Sequence, residues 1–202
     1  MISFPLKTIA KLILASASPR RKSLLQELGL DFEIIESQVE ETPAAGELPK
    51  DFVQRLACDK AASVSRENAA SWVLGADTVV VHAGKIQGKP RDAKEALDVL
   101  QTLAGNCHLV HTGFCLKNGI EKISVNRVVT TEVSFFSFSR DIAAAYVATG
   151  EPLDKAGAYG IQGRGAFLVE KINGSYSNVV GLPLVEVVEE LMRYKVVEPR
   201  MN

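Results

Sequence analysis

The sequence predicts a mixed α/β fold, and three observations carry that reading. Short apolar runs of strand character, such as Leu12–Ala15 and the stretch "SWVLGADTVVVHAGK" (71–85), are interleaved with stretches of helical periodicity. Helix punctuation recurs around those stretches: Ser18-Pro19 and Gly29, Asp92 with Glu95 and Gly105, Ser139 and Gly150. No internal repeat and no low-complexity linker divides the chain, which favours one unit over residues 1–202.

Each element follows in order. Leu12 to Ala15 form a strand, and "SASPRRKSLLQELG" then opens a helix. Ser16 and Ser18 are both able to cap it, Pro19 has the φ suited to the first helical position, and Gly29 ends it. "DFEIIES" (31–37) is a second strand, followed by the acidic loop "QVEETPAAGELP" and a helix from about Lys50 to Ala69. The 71–85 strand turns at Ala83-Gly84. Asp92 and Glu95 make a capping box for the next helix. Residues 107–136 are a long hairpin with Asn118-Gly119 as a type I′ turn. Ser139 caps a helix ending near Gly150, and a Gly-rich stretch precedes a last helix, "LPLVEVVEELMRY".

Composition excludes several function classes. Lys plus Arg number 23 against 24 Asp plus Glu, so no global basic field exists to follow a nucleic-acid backbone, and only 6% of residues are aromatic, too few for a stacking platform. No apolar run reaches the ~18–20 residues of a membrane span. The opening "MISFPLKTIAK" is too short and interrupted for a secretory signal. Three cysteines, an odd number, fit a reducing cytoplasm better than a disulfide framework. Cys107, His108 and His111 lack a second Cys/His pair at zinc spacing, and strand alternation turns His108 away from the other two. Packing or solvent roles are expected for them.

Function is sought where the sequence breaks local rules. Arg20, Arg21 and Lys22 crowd the positive end of a helix dipole, where each cation is unfavourable by ~0.3–1 kcal/mol. Either all three project into water, or an anion sits at that turn, held by free backbone N–H groups and the guanidinium forks. Lys60 falls in the middle of the stripe Phe52, Val53, Leu56, Ala57 and Val64, so it either snorkels to an edge or reaches an anion in a cleft. Asp77 interrupts an apolar strand, where a carboxylate needs a cation, hydrogen bonds or a proton. A salt bridge satisfies that need, as does service as a metal ligand or general base. "GKPRD" puts Lys89 just before a helix. "GEPLDKAGAYGIQGRGA" brings glycines together with Asp154, Lys155, Gln162 and Arg164, but matches neither a Walker loop nor a Rossmann turn. Cations for a polyphosphate (Arg20, Arg21, Lys60, Lys89) and carboxylates for a hard metal (Asp77, with Glu40 or Glu41) together point to nucleotide chemistry.

The motifs "LASASPRRKSLL", "GADTVV", "GKPRD", "GEPLDKAGAYGIQG" and "INGSYSNVVGLPL" resemble, in order and spacing from about Leu12 to Met192, the Maf family of nucleoside triphosphate pyrophosphatases. The resemblance implies an elongated twisted mixed β-sheet flanked by helices, with two lobes around a cleft, as in the inosine-triphosphate pyrophosphatase superfamily. It implies a homodimer that uses Mg²⁺ or Mn²⁺ to hydrolyse a triphosphate to monophosphate and pyrophosphate. By motif, Asp77 becomes the proton acceptor, Glu41 the second acidic group, and the two together the metal ligands. Ser16, Arg20, Arg21, Lys60 and Lys89 become the phosphate-binding set. Arg20, Thr78 and Gln162 match the branch acting on dTTP and UTP rather than on 7-methyl-GTP. The expected chemistry is attack of water on the α-phosphorus with pyrophosphate leaving. A rival expectation is a nucleotide-binding regulator of cell division without turnover, which metal-dependent pyrophosphate release separates from an enzyme.

Overall fold

A computed structural model describes residues 4–201. The elements run β1 (Leu6–Thr8), β2 (Leu12–Leu14), α1 (Pro19–Glu27), β3 (Glu33–Ile34), α2 (Pro49–Ser65), β4 (Trp72–His82), β5 (Lys85–Gln87) and α3 (Ala93–Leu103). They continue with β6 (Cys107–Asn118), β7 (Ile123–Phe135), α4 (Arg140–Val147), β8 (Val169–Asn173), α5 (Tyr176–Val180), α6 (Leu184–Arg193) and β9 (Val197–Pro199). Three 3-10 turns lie between α4 and β8. The main sheet is mixed, with strand order β3-β2-β4-β6-β7-β8. Strand β2 is parallel to β3 and β4, while β5 joins β4 and β8 joins β7 antiparallel. The mixed α/β expectation therefore holds.

The chain forms two compact units. The first comprises the residues up to Asp77, Thr112–Val128, and those from Gly181 on. Its centre is β2, buried throughout, and the apolar face of α2. That helix lies on bare backbone. A Cβ at Gly75 of β4 would stand 2.3 Å from the Ala57 carbonyl oxygen, and one at Gly113 of β6 would stand 2.4 Å from the Val53 carbonyl oxygen. Only glycine admits so close an approach. Helix α6 is tied to β7 by Arg127, which hydrogen-bonds the buried Glu190.

The second unit comprises Thr78–His111 and Val129–Val180. Helix α3 buries Ala96, Leu100 and Leu103, and the surrounding core includes Phe135, Phe138, Ala143, Tyr146 and Tyr159. Asp92 caps α3 as expected, accepting from the Glu95 amide at 2.8 Å. The return arm of the box goes one residue further out, to the Arg91 amide at 2.8 Å. His108 is buried here against the rings of Phe135 and Tyr159, its Nε2 2.9 Å from the Tyr159 hydroxyl.

Several boundaries differ from expectation. The 31–37 strand is only Glu33–Ile34, an exposed edge held to β2 alone. Helix α2 stops at Ser65, beyond which the Asn68 side chain bonds the Val64 carbonyl and the chain turns into β4. The 118–119 turn is not type I′: four residues, 119–122, connect β6 to β7, with Lys122 at φ +56° and the Asn118 side chain accepting from the Glu121 amide. Gly119 is needed instead for contact, since a Cβ there would meet Ala69 at 2.9 Å. The short β1, β5, β9 and α5 have no clear periodic signal in the sequence.

His108 yields a pH-dependent stability. Burial, with a smaller contribution from the charge of His82, lowers its pKa to about 4, and its Nδ1 has no hydrogen-bond partner. The unfolded chain takes up this proton near pH 6.5, whereas the folded chain does so only near 4. Stability is therefore full above pH 6.5 and declines as pH falls through that window, by up to about 3 kcal/mol. Thermal unfolding followed from pH 7.5 to 4.5 should show a flatter profile for His108→Gln than for the parent chain. Identical slopes would contradict this assignment.

Candidate active site

The start of α1 is built as a cap. Ser18 accepts from the Arg21 amide at 3.5 Å, and Ser16 Oγ accepts from the Ser18 amide at 3.3 Å. The three cations of this turn then diverge. Lys22 is exposed and Arg20 is half-buried. Arg21 turns inward, where its Nε donates to the Gly181 carbonyl at 2.8 Å and its Nη1 to Ser16 Oγ at 3.1 Å. Burial loosens its proton, the charges of Asp77 and Glu41 oppose that loss, and the neighbouring Arg20 adds repulsion. A guanidinium stays charged under such pressures, so Arg21 both ties α1 to the segment at 181 and projects a fixed positive charge.

Lys60 does not snorkel. It is 6% exposed, and its ammonium lies 2.8 Å from Asp77 Oδ1 and 2.5 Å from Glu41 Oε1. Asp77 is itself buried, whereas the Glu41 side chain is 52% exposed. Glu41 rather than Glu40 is the second carboxylate, because Glu40 instead accepts from the Thr42 hydroxyl at 3.1 Å. Arg55 sets the position of this loop. Its Nε bonds Glu47 at 2.6 Å and its Nη2 the Thr42 carbonyl at 3.1 Å, and the pairing holds the Glu47 carboxyl down to about 2. Sequence periodicity places Arg55 on the solvent face of α2 and gives no hint of this anchoring.

The first unit thus gathers Ser16, Arg20, Arg21, Glu41, Lys60 and Asp77 into one electrostatic cluster, three cations against two carboxylates. Asp77 and Glu41 both meet the Lys60 ammonium, and as oxygen-only groups they are the residues that could hold a hard divalent cation such as Mg²⁺ or Mn²⁺. Among the described residues no group of three His, Cys, Asp or Glu side chains converges. The remaining ligands of a metal held by these two carboxylates would therefore be substrate phosphates or water, the usual Mg²⁺ arrangement. Cys107 is exposed, His108 pairs with Tyr159, and His111 pairs with Thr130.

Lys89, Thr78 and Gln162 belong to the second unit. Thr78 follows Asp77 on β4 and is half-buried, while Lys89 is exposed. The residue before Lys89 is pinned, because the Gly88 carbonyl accepts from the Gly157 amide at 3.1 Å. Gln162 sits in a loop clamped on both flanks by Tyr146 and Glu151, two residues that sequence reasoning passed over. The Tyr146 hydroxyl donates to Glu151 Oε1 at 3.0 Å and accepts from the Gly160 amide at 3.1 Å. Glu151 accepts from the Arg164 amide at 3.0 Å and the Gly165 amide at 3.1 Å. Burial opposes the charge on Glu151, yet these donors outweigh it and hold its carboxyl below the usual range. A Glu151→Gln change keeps the shape but turns an N–H donor toward those amides. Losing charge-assisted bonds of ~1.5–3 kcal/mol should speed hydrogen exchange at Gly160, Arg164 and Gly165 by about tenfold or more. Unchanged protection there would contradict the clamp.

Comparison with known proteins fits this picture. The family model described as Maf-like protein matches residues 11–194. The dTTP/UTP pyrophosphatase of Desulfotalea psychrophila is 53% identical over 92% of this chain and 95% of its own. That of Geobacter sulfurreducens is 48% identical over 91% and 96%, and that of Bacillus cytotoxicus is 47% identical over 91% and 95%. A solved structure, the Staphylococcus aureus Ham1 protein, overlaps 62% of this chain and 71% of its own at 12% identity and a TM-score of 0.44, too slight a likeness to bear on function. A match of this extent, joined to relatives near half identity over nine-tenths of the sequence, makes the chain a member of the Maf-like protein family.

Proposed function

We propose that this chain is a nucleoside triphosphate pyrophosphatase that hydrolyses dTTP and UTP to the monophosphate and pyrophosphate. The observation that carries the reading is the buried Lys60 ammonium held between Asp77 and Glu41 beside the arginines of α1. Identities of 47–53% to proteins named dTTP/UTP pyrophosphatase support it.

Displacement at an α-phosphorus demands mainly positioning and neutralisation of developing negative charge. Arg20 and Arg21, backed by Ser16 and the positive end of α1, neutralise the triphosphate. Lys60 and Lys89 are the further cations for it. Asp77 takes the proton of the attacking water, a step worth ~10²–10⁴-fold for a positioned base. Lys60, hydrogen-bonded at Oδ1, keeps that carboxylate oriented. Asp77 and Glu41 would hold Mg²⁺ or Mn²⁺, which supplies charge neutralisation on the phosphates. Arg20, Thr78 and Gln162 select the pyrimidine base, the Gln162 amide offering both a donor and an acceptor. The reading extends to a cytoplasmic homodimer. Its three thiols are free, and among the described residues no helix is long and apolar enough to cross a membrane.

The deciding assay measures pyrophosphate from dTTP, UTP, CTP, GTP and 7-methyl-GTP, with and without Mg²⁺. Release from dTTP and UTP that needs the metal, and that falls by about 10²-fold or more in a folded Asp77→Asn variant, is expected. Preference for 7-methyl-GTP would overturn the base assignment. Nucleotide binding without turnover would replace the enzyme by a regulator.

A further inference from the structure

The close seating of α2 on the sheet brings two thiols together. Cys58 lies on α2, half-buried, and packs against a cluster that includes Ala57, Ala61, Val64 and Cys115. Cys115 is fully buried on β6. It stands two residues beyond Gly113, so both project from the same face of the strand, the face on which the α2 backbone rests at Val53. The two thiols share this cluster and both are free rather than disulfide-linked; the Cys115 sulfur also lies 3.7 Å from the Ser124 hydroxyl.

The pair is asymmetric. The neighbouring Cys115 thiol, with the Asn126 amide and the charge of Lys117, outweighs burial and lowers the Cys58 pKa to about 7. Cys115 is pushed far up and keeps its proton. The Asn126 side chain is itself held by Gln54, whose Nε2 donates to Asn126 Oδ1 at 2.5 Å. A partly exposed thiolate backed by a buried thiol is the arrangement of an attacking and a resolving cysteine.

We infer that Cys58 and Cys115 form a reversible redox site, in which a peroxide oxidises Cys58 and Cys115 closes an intramolecular disulfide. The Cys58 thiolate attacks one peroxide oxygen and the O–O bond breaks. The departing oxygen leaves as water after taking a proton, and Cys58 becomes a sulfenic acid. The Cys115 sulfur then attacks the Cys58 sulfur, the S–O bond breaks, and a second water leaves. Two thiols lose two electrons in all, and one peroxide is reduced to two waters.

The disulfide also acts on the site described above, a consequence that rests on the proposed role of Lys60. An S–S bond of ~2.05 Å is far shorter than a thiol hydrogen bond. At Gly75 and Gly113 the helix already touches the strands and cannot move closer. Drawing Cys58 onto Cys115 therefore loads the α2 backbone within one turn of Lys60 and disturbs its seat on Asp77.

The test uses the Cys107→Ser protein, which removes the exposed thiol and with it links between molecules. After treatment with hydrogen peroxide near pH 7 and alkylation of remaining thiols, peptide mapping should recover Cys58 joined to Cys115, reversed by dithiothreitol. In Cys115→Ala, dimedone should trap the sulfenic acid on Cys58. If the Cys115 variant misfolds, the joined peptide from the folded Cys107→Ser protein decides alone. Both thiols still alkylatable after peroxide, or Cys58 driven to sulfinic acid without a link, would overturn the site. Turnover of dTTP should fall several-fold on oxidation and return on reduction. A joined, folded protein with undiminished turnover would overturn the coupling to Lys60, and the peptide result stands independently of whether dTTP is the substrate.

Discussion

A lysine ammonium buried against a buried aspartate constrains everything else in the first unit. Neither group is tolerable there alone, since removing one partner of such a pair typically costs about 3–5 kcal/mol. Lys60 must therefore reach Asp77, which requires α2 to rest directly on β4, and that in turn requires Gly75 where a side chain would strike the Ala57 carbonyl. Stability does not by itself explain the pair, because an apolar couple of similar volume would serve the fold as well or better. The proposed function gives this buried charge pair its use.

Around that pair the charges are graded by exposure. Arg21 is immobilised by the Gly181 carbonyl and Ser16, while Arg20 is half-exposed on the same turn. Glu41 reaches in from a loop that Arg55 anchors through Glu47 and the Thr42 carbonyl. One cation is thus buried and hydrogen-bonded and another is half-exposed, and one carboxylate is buried while the other is about half-exposed. In the proposed function this graded set of charges is the electrostatic preorganisation that favours phosphoryl chemistry. In the second unit the same economy appears in the Gln162 loop, whose two flanks share one phenol and one carboxylate.

Much of this was legible in the sequence because it lies in contrasts between neighbours. Lys60 stands out from Leu56, Ala57 and Val64, and Asp77 from the valines after it. Ser18-Pro19 and Asp92 specify helix starts through chemistry that acts within one turn. The alternatives left open for Lys60 and Asp77 resolve into each other: the salt bridge of one is the anion of the other. What could not be read depends on tertiary contact. Gly119 suggests a tight turn, but its true constraint is Ala69, distant in sequence. Arg55 and Glu151 look like ordinary solvated charges until the loops they hold are seen. Short edge pieces such as β3, β5 and the β1–β9 pair have too few residues for periodicity to speak.

The most direct measurement of the central claim is a double-mutant comparison at Lys60 and Asp77, reading thermal stability and dTTP hydrolysis in parallel. Lys60→Met alone should be strongly destabilised, and adding Asp77→Leu should restore much of that stability while hydrolysis stays abolished. A double variant that regains turnover along with its stability would show that the pair serves only the fold, and would contradict the account.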